Sequence, residues 1–228
     1  NPGTRSLTYQ LDPLARSSLN LRAGWGSYEK GRAAVLWRQR NMWGRGHQYE
    51  AEIRRSFKSF NADLTYTVPH FFDHRISAFV RGGHSFREEI GFDRESEELV
   101  FGVSRRFEQP GIDTFLEYRF ENLDTTRRSR STFDSEDQAH VTSILLDLNF
   151  DRRDNPLNPS AGFDAGLTLK VASEFLGGEA DYTRMELSTS FHRYLGTGLY
   201  LHASLAYGTA FSESPSQRNL PFNERFFP

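Results

Sequence analysis

The chain has 228 residues with a formal net charge of −2, and 37% of them are hydrophobic, 25% charged and 14% aromatic. The near-neutral charge, without a basic stripe on any one element, argues against a nucleic-acid-binding protein. No stretch approaches the roughly 18 consecutive apolar residues of a membrane-spanning helix, so insertion into a bilayer would have to use strands. The composition suits either a Phe-rich soluble β-sandwich or a membrane β-barrel, and it leaves both open.

Alternation of apolar and polar residues runs through nearly the whole sequence, which predicts strands whose two faces differ in polarity. The first such strand alternates Leu19, Leu21, Ala23 and Trp25 with polar or small residues. We predict eleven strands, at residues 17–26, 31–41, 48–58, 59–68, 74–87, 95–107, 112–122, 137–151, 162–173, 180–195 and 198–211. Many of them have the about 9 to 11 residues that a strand needs to cross a bilayer at a tilt.

The polar positions and the connections favour the barrel over the sandwich. Charged residues occupy the polar positions along strands longer than those usual in a sandwich, as suits a watery lumen lined by ion pairs. Short connections are predicted at 68–74 and 195–198, and longer ones at 88–97, 124–137 and 173–180. Short periplasmic turns and longer external loops are typical of membrane barrels. We therefore predict an all-β protein, an antiparallel transmembrane β-barrel.

The predicted strand count is odd, whereas closed barrels of single bacterial chains normally have an even number. Two open edges in lipid would leave backbone N–H and C=O groups unsatisfied, which is costly. The sequence also ends at Pro228 without a closing strand, and Asn1–Arg5 is too polar to begin a signal peptide. These features predict a mature or excised fragment whose barrel is incomplete at the C-terminus.

One turn between two predicted strands carries a distinctive motif. Residues 148–163 contain Asn155, Pro156 and Pro159, which fix a turn, and Gly162, which gives backbone freedom before the next strand. The segment resembles the strand–turn–strand signature of the BamA superfamily, the outer-membrane barrels that include TamA and the two-partner-secretion transporters. The residues that match the family pattern are Asp151, Arg153, Asp154, Asn155, Pro156, Pro159, Gly162 and Phe163.

Weaker resemblances extend over nearly all of the chain. The segments 21–28 and 41–46 look like the family's first barrel hairpin, and Tyr66–Pro69 looks like the end of the second. The segment 220–227 resembles the entry to the family's lid loop. The matching lid-loop residues are Pro221, Glu224, Arg225 and Phe226.

The resemblance implies a division of the chain and a place for it. A barrel of about 16 strands is implied, within the even numbers of this class, of which about eleven are present. Residues 1–16 would be a remnant of the last periplasmic POTRA domain with its linker, and residues 17–228 a partial barrel domain in the bacterial outer membrane.

No motif of enzyme chemistry stands out: the sequence has no nucleophile elbow, no phosphate-binding loop, no paired-His motif and no cysteine. Its seven histidines are scattered over separate strands and turns, and His70 and His74 do not converge on a metal site. The charges of Asp151, Arg153 and Asp154 are interpreted as a structural network rather than acid–base machinery. We predict no catalytic, cofactor-binding or metal-binding residue, and a protein that is not an enzyme.

The resemblance also implies a lateral gate between the first and last barrel strands. The gate strand of this chain comprises Leu19, Asn20, Leu21, Arg22, Ala23, Gly24, Trp25 and Gly26. An edge strand exposes unpaired backbone groups that can pair with a strand of another protein. Gly24 and Gly26 either favour opening by weakening side-chain packing or simply mark the end of the strand, and the sequence leaves both interpretations open.

By this resemblance, the predicted function is the assembly and insertion of outer-membrane β-barrel proteins. The implied partners are unfolded outer-membrane protein clients, the lipid bilayer with lipopolysaccharide, and accessory lipoproteins or periplasmic chaperones; nucleic acid is not among them. One alternative is a TamA-like or two-partner-secretion pore that translocates a dedicated passenger, and another is a membrane anchor for an attached domain. A passive porin is disfavoured, because porins lack the motif at 151–162.

Overall fold

Antiparallel strands make up most of the molecule. The computed structural model describes residues 15–73, 75–89, 91–109, 111–127 and 136–212. The strands are β1 Ser17–Gly26, β2 Lys30–Met42, β3 His47–Ser56, β4 Ser59–Val68, β5 Ile76–Glu88, β6 Phe92–Phe107, β7 Ile112–Arg127, β8 Glu136–Asp151, β9 Ala161–Ala172, β10 Tyr182–Gly196 and β11 Leu199–Ser212. A 3₁₀ turn at Glu174–Leu176 interrupts one connection. Within the described ranges, no helix is long and apolar enough to cross a membrane.

The sheet is a simple meander in which every strand pairs with its neighbours in sequence, in the order β1 to β11. β1 and β11 are its two edges in the described part of the chain, where no further strand pairs with them. We call the end at which β1 begins the lower rim. Its connections are 43–46, 69–75, 108–111, 152–160 and 197–198. The opposite end is the upper rim, with connections at 27–29, 57–58, 89–91 and 173–181, and β7 ends and β8 begins there.

The alternation of the sequence becomes two faces in the sheet. On the apolar face, Leu21, Val35 and Ile53 lie opposite one another on neighbouring strands, and large side chains such as these are exposed. On the polar face, Glu98 lies opposite Glu121. Exposed apolar side chains over a whole sheet face are the pattern of a lipid-facing barrel wall, and the charged face corresponds to the lumen.

The polar face is the concave one. Ion pairs on this face join strands that are separated by another strand, as between Arg22 and Glu52 at 2.9 Å and between Lys170 and Glu121 at 2.5 Å. Side chains of alternate strands approach one another in this way where a sheet curves toward them, as it does toward the interior of a barrel. Val100 on this face is 0% exposed, which shows how closely the neighbouring side chains cover it.

The prediction of an all-β chain with eleven antiparallel strands is confirmed, and two boundaries differ by three residues or more. β6 begins at Phe92 rather than at residue 95, and β7 continues to Arg127 rather than ending at residue 122. The physical reason is that polar residues occupy both faces of these strand ends. The alternation therefore disappears, while the backbone pairing continues.

The predicted difference in connection length holds only in part: the connection 173–181 is long and 197–198 is short, as expected. The connection expected at 88–97 is only 89–91, and the lower rim contains both the short connection 197–198 and the long connection 152–160. A small apolar cluster on the polar face near the upper rim was also not predicted. It consists of Leu123, Val141, Ala172 and Tyr182. Alternation predicts a polar residue at each of these positions, so it gives no indication that an apolar cluster forms there.

Candidate functional site

The open edge of β1 has a definite hydrogen-bonding phase. The amide of Arg40 donates to the carbonyl of Arg16 at 2.6 Å, in continuation of the register in which Ser17 lies opposite Gln39. Hydrogen-bonded pairs alternate with non-hydrogen-bonded pairs along an antiparallel ladder. Even-numbered residues of β1 therefore direct their N–H and C=O groups toward β2. Those of Ser17, Leu19, Leu21, Ala23 and Trp25 point to the open edge.

The side chains of β1 divide the predicted gate residues between the two faces. Leu19, Leu21 and Trp25 lie on the apolar face and are 61%, 71% and 72% exposed. Arg22 lies on the polar face, where its Nη2 donates to Glu52 Oε1. β1 thus combines an open backbone edge with a strongly exposed apolar surface.

The structure separates the two glycines that the sequence could not distinguish. A Cβ at Gly24 would lie 3.0 Å from Arg32 Nε, so the missing side chain leaves room for the side chain of Arg32. A Cβ at Gly26 would have no atom within 4 Å, and this residue ends β1 before the turn. A side chain at residue 24 would therefore have to displace the side chain of Arg32, whereas Gly26 has no neighbour that excludes a side chain.

A charge network crosses the middle of the polar face. Arg81 Nε lies 3.0 Å from Glu98 Oε1, and Arg119 Nε lies 2.7 Å from Glu117 Oε2. Arg119 Nη1 lies 3.6 Å from Glu98 Oε2, which joins the two pairs. Lys170 approaches Glu121 across β8, and both side chains are nearly buried. This network compensates acidic side chains on neighbouring strands that would otherwise repel one another.

The motif turn at the lower rim is held by its own side chains. Asp154 Oδ1 accepts hydrogen bonds from the amides of Asn155, Ser160 and Ala161 at 2.9 to 3.1 Å, and its Oδ2 accepts from the Ser160 hydroxyl. Asn155 Oδ1 accepts from the amide of Leu157 at 2.9 Å. These bonds fold residues 154–161 into one compact loop.

Two further motif residues connect the turn to the strands. Arg153 makes two hydrogen bonds to Asp151, from Nε at 3.0 Å and from Nη2 at 2.7 Å, and its Nε lies 3.4 Å from Asp164. Gly162 has a φ of +108°, and a Cβ there would lie 2.2 Å from the carbonyl oxygen of Arg152. Only glycine fits this position, because both the backbone conformation and the space exclude a side chain. Pro156 and Pro159 lie within the same loop.

The hydrogen bonds to Asp154 also change its acidity. Donation by the Ser160 hydroxyl, and then by the amides of Ala161, Ser160 and Asn155, lowers the pKa of Asp154 to about 2. Donors that favour the charged form of a carboxylate always act in this direction. Asp154 is therefore ionised at every physiological pH, and its role in the turn is that of a permanent acceptor.

The remaining predicted residues lie outside the described part of the chain. These are the lid-loop residues Pro221, Glu224, Arg225 and Phe226, and all of the proposed POTRA remnant except residues 15 and 16. In the described ranges, no group of three or more His, Cys, Asp or Glu side chains is arranged to hold a metal ion.

An arginine cluster near the upper rim was missed by sequence analysis. Arg22, Arg32, Arg54, Arg87 and Arg94 line one concavity of about 870 Å³ on the polar face. They come from five different strands, so no single element carries a basic stripe. The sequence did contain one indication of the cluster. Each arginine occupies a polar-face position of its strand and lies close to an upper-rim turn.

Comparisons with known proteins agree with this architecture. Residues 41–228 match the model of the Omp85 superfamily domain. The fold is similar to the crystal structure of BamA from Haemophilus ducreyi lacking POTRA domains 1–3, with a TM-score of 0.73 at 15% sequence identity. The similarity covers 86% of this chain but only 42% of that BamA chain. No curated protein sequence matches the chain.

The open meander, its apolar and charged faces and the matched domain together define a bacterial outer-membrane β-barrel, of which the described strands form an incomplete wall. The chain belongs to the Omp85 superfamily, because the family domain covers most of its length. The family resemblance that the motif at 151–162 indicated is thereby confirmed.

Proposed function

We propose that this protein assembles outer-membrane β-barrel proteins by pairing the open edge of β1 with a strand of an unfolded client. The observation that carries the proposal is the edge itself, where alternate residues from Ser17 to Trp25 direct away from β2 backbone groups that pair with no described strand. Membership of the Omp85 superfamily and the fold shared with BamA support the same function.

The driving force follows from the surroundings of the edge. An unpaired N–H or C=O group in hydrocarbon costs several kcal/mol, so each client residue that pairs with β1 removes a large penalty from both strands. The exposed side chains of Leu19, Leu21 and Trp25 support a position of this edge in the apolar layer. Pairing requires neither a nucleotide nor a cofactor, and we propose no catalytic residue.

The proposed partners follow from this mechanism. Unfolded outer-membrane proteins are the clients, and the lipid bilayer with lipopolysaccharide surrounds the apolar face. Accessory lipoproteins or periplasmic chaperones deliver the clients at the lower rim. Residues 1–16 would link this rim to a POTRA domain, and the lid loop entered at 220–227 would fold back into the lumen.

Cysteine cross-linking tests the proposal in the full-length protein. Leu19, Leu21 or Ala23 is replaced by Cys, and a second Cys is placed in the terminal strand of a barrel client. Adducts should form at all three positions, with partners that shift by two residues as the β1 position shifts by two. Val35→Cys is the matched control, because this residue lies opposite Leu21 on the same face but one strand away from the edge. Absence of β1 adducts, with adducts present for BamA and the same client, would contradict the proposal.

A second candidate is a pore that translocates one dedicated passenger. The charged concave face favours it, because such a wall suits a water-filled path. The two functions separate in a strain that lacks the protein. Loss of one secreted passenger, with outer-membrane barrel proteins at their normal levels, would favour the pore, whereas a general loss of barrel proteins would favour assembly.

A further inference from the structure

We propose that β1 selects client strands that carry Asp or Glu on the lumen side opposite Gly24, where the guanidinium of Arg32 would bind the carboxylate. This inference rests on the proposed function and adds a chemical preference to it. It concerns an inward-facing side chain of the client, whereas the backbone pairing described above is independent of sequence.

The side chain of Arg32 lies over the edge strand β1. Gly24 and Arg32 are directly opposite in the β1–β2 register, on the polar face. The Arg32 side chain runs from β2 over Gly24, with Nε 3.0 Å and Nη2 3.7 Å from the place of a Cβ. Its guanidinium therefore lies on top of the edge strand and not above β2, and a side chain at residue 24 would displace it.

The hydrogen-bonding pattern of β1 determines how closely a client side chain can approach Arg32. Gly24 directs its N–H and C=O groups to Arg32, so a strand added at the open edge would meet Gly24 in a non-hydrogen-bonded pair. In such pairs the Cα atoms are only about 4.5 Å apart and the side chains approach most closely. Because Gly24 has no side chain, nothing on β1 separates a client carboxylate from Arg32.

The charged groups around Arg32 are mostly positive. Three arginines of the cluster have carboxylate partners: Arg22 with Glu52 at 2.9 Å, Arg54 with Asp63 at 3.5 Å and Arg87 with Glu89 at 2.8 Å. No carboxylate of the described residues forms an ion pair with Arg32, and Glu29 is the one acidic residue that lines the cavity. The local field is therefore positive, which favours an anionic side chain.

The chemistry of the pair fits a carboxylate. A guanidinium offers parallel N–H donors that match the two oxygens of Asp or Glu, and the arginine charge persists at all physiological pH values. The upper part of the lumen remains accessible to water, so the preference for a carboxylate over a neutral side chain is roughly fivefold. Lysine at the same client position would meet a like charge and be disfavoured.

The test fixes the register and varies one client residue. Asn20 of the full-length protein is replaced by Cys and cross-linked to a Cys at the opposite position of a client's terminal strand. In an antiparallel pair, the client residue opposite Gly24 is then four positions toward the client's N-terminus. This residue is made Glu, Gln or Lys, and the adduct yields are compared at equal client concentration. Yields should fall in the order Glu, Gln, Lys.

Two variants of the protein connect this order to Arg32. R32E should reverse it, so that the Lys client gives most adduct, and G24A should abolish the preference without changing any charge. R105E is the control, because Arg105 lies on the apolar face of β6, against Phe107 and outside this cavity; it should keep the order. The comparison of Glu, Gln and Lys clients can also be made with the protein whose polar face carries only the N20C substitution. It therefore tests the inference even if the R32E or G24A variant folds poorly.

The outcomes are distinguishable from failure of the proposed function. Absence of adducts with every client would overturn both proposals. Normal adduct yields that do not depend on the client residue would overturn the inference and leave the proposed function standing. An equal loss of yield for all three clients in R32E would also overturn it, since Arg32 would then bind another anion, such as a lipid phosphate.

Discussion

Gly162 is the motif residue whose identity the backbone determines most directly. Alanine in the left-handed region costs about 1 to 2 kcal/mol, and the overlap with the Arg152 carbonyl at 2.2 Å adds to this cost. We expect G162A to lower the free energy of unfolding more than G177A, whose glycine has a similar φ of +99° but no atom within 4 Å. Urea unfolding of the refolded full-length barrel measures both, and equal midpoints would contradict the assignment.

Asp154 gives the turn a pH dependence of known sign. Its pKa is lowered to about 2 in the folded turn, so the stabilisation is complete above the ordinary carboxylate pKa of about 3.9 and is lost as pH falls toward 2. Amide hydrogen exchange at Ser160 and Ala161, corrected for intrinsic rates, should therefore speed up between about pH 4 and pH 2. D154N should exchange fast at both pH values, and a variant that kept the wild-type pH dependence would contradict this role.

At this scale the sequence identified the motif but not the cluster. Asp151 to Gly162 are contiguous, so their turn chemistry can be interpreted directly from residue types and spacing. Arg32 and Gly24 come together only through the register of two strands, and the five cluster arginines through that of six. Contacts of this kind depend on the register between strands, and the sequence of a single segment does not determine that register.

The individual strands were predictable wherever one face meets an apolar environment and the other a polar one. β1 and β4 were predicted with their observed bounds because their alternation is unbroken. The upper ends of β6 and β7 were missed because Arg94 pairs with Thr125, and Asp93 with Thr126, beyond the alternating region, where polar residues occur on both faces of each strand. Backbone pairing alone extends these strands.

The Lys170–Glu121 pair connects β9 to β7 across β8, and it is nearly buried, with 6% and 9% of each residue exposed. K170M leaves the nearly buried Glu121 with the looser contact to Arg119, whose Nη1 lies 3.8 Å from Oε1, so it should destabilise the barrel by about 3 kcal/mol. D113N is the matched control, because it breaks the exposed Arg106–Asp113 pair on the same face and should cost less than about 1 kcal/mol. Equal losses in urea unfolding would show that the network contributes no more than surface charges do.

Over the whole molecule, alternation predicted the two-faced sheet and its place in the outer membrane, and membership of the Omp85 superfamily agrees with that prediction. The proposed mechanism needed one further fact, the phase of the β1–β2 ladder. This phase determines that Leu19, Leu21 and Ala23, rather than Asn20 and Arg22, present their backbone groups to a client. A shift of the pairing by one residue would reverse that assignment, and it would also turn Leu19, Leu21 and Ala23 to the polar face.

Proline at Ala23 tests the proposed assembly mechanism most directly. The N–H of Ala23 points to the open edge, so A23P removes a donor that a client needs while leaving the hydrogen bonds to β2 intact. A23V is the control, because it keeps the N–H and adds a β-branched side chain. The measurement is the rate at which an unfolded barrel client becomes folded in liposomes that contain the full-length protein. We predict a rate at least about tenfold lower for A23P than for A23V, since an unpaired group in lipid costs several kcal/mol; equal rates for the two variants would contradict client pairing at β1.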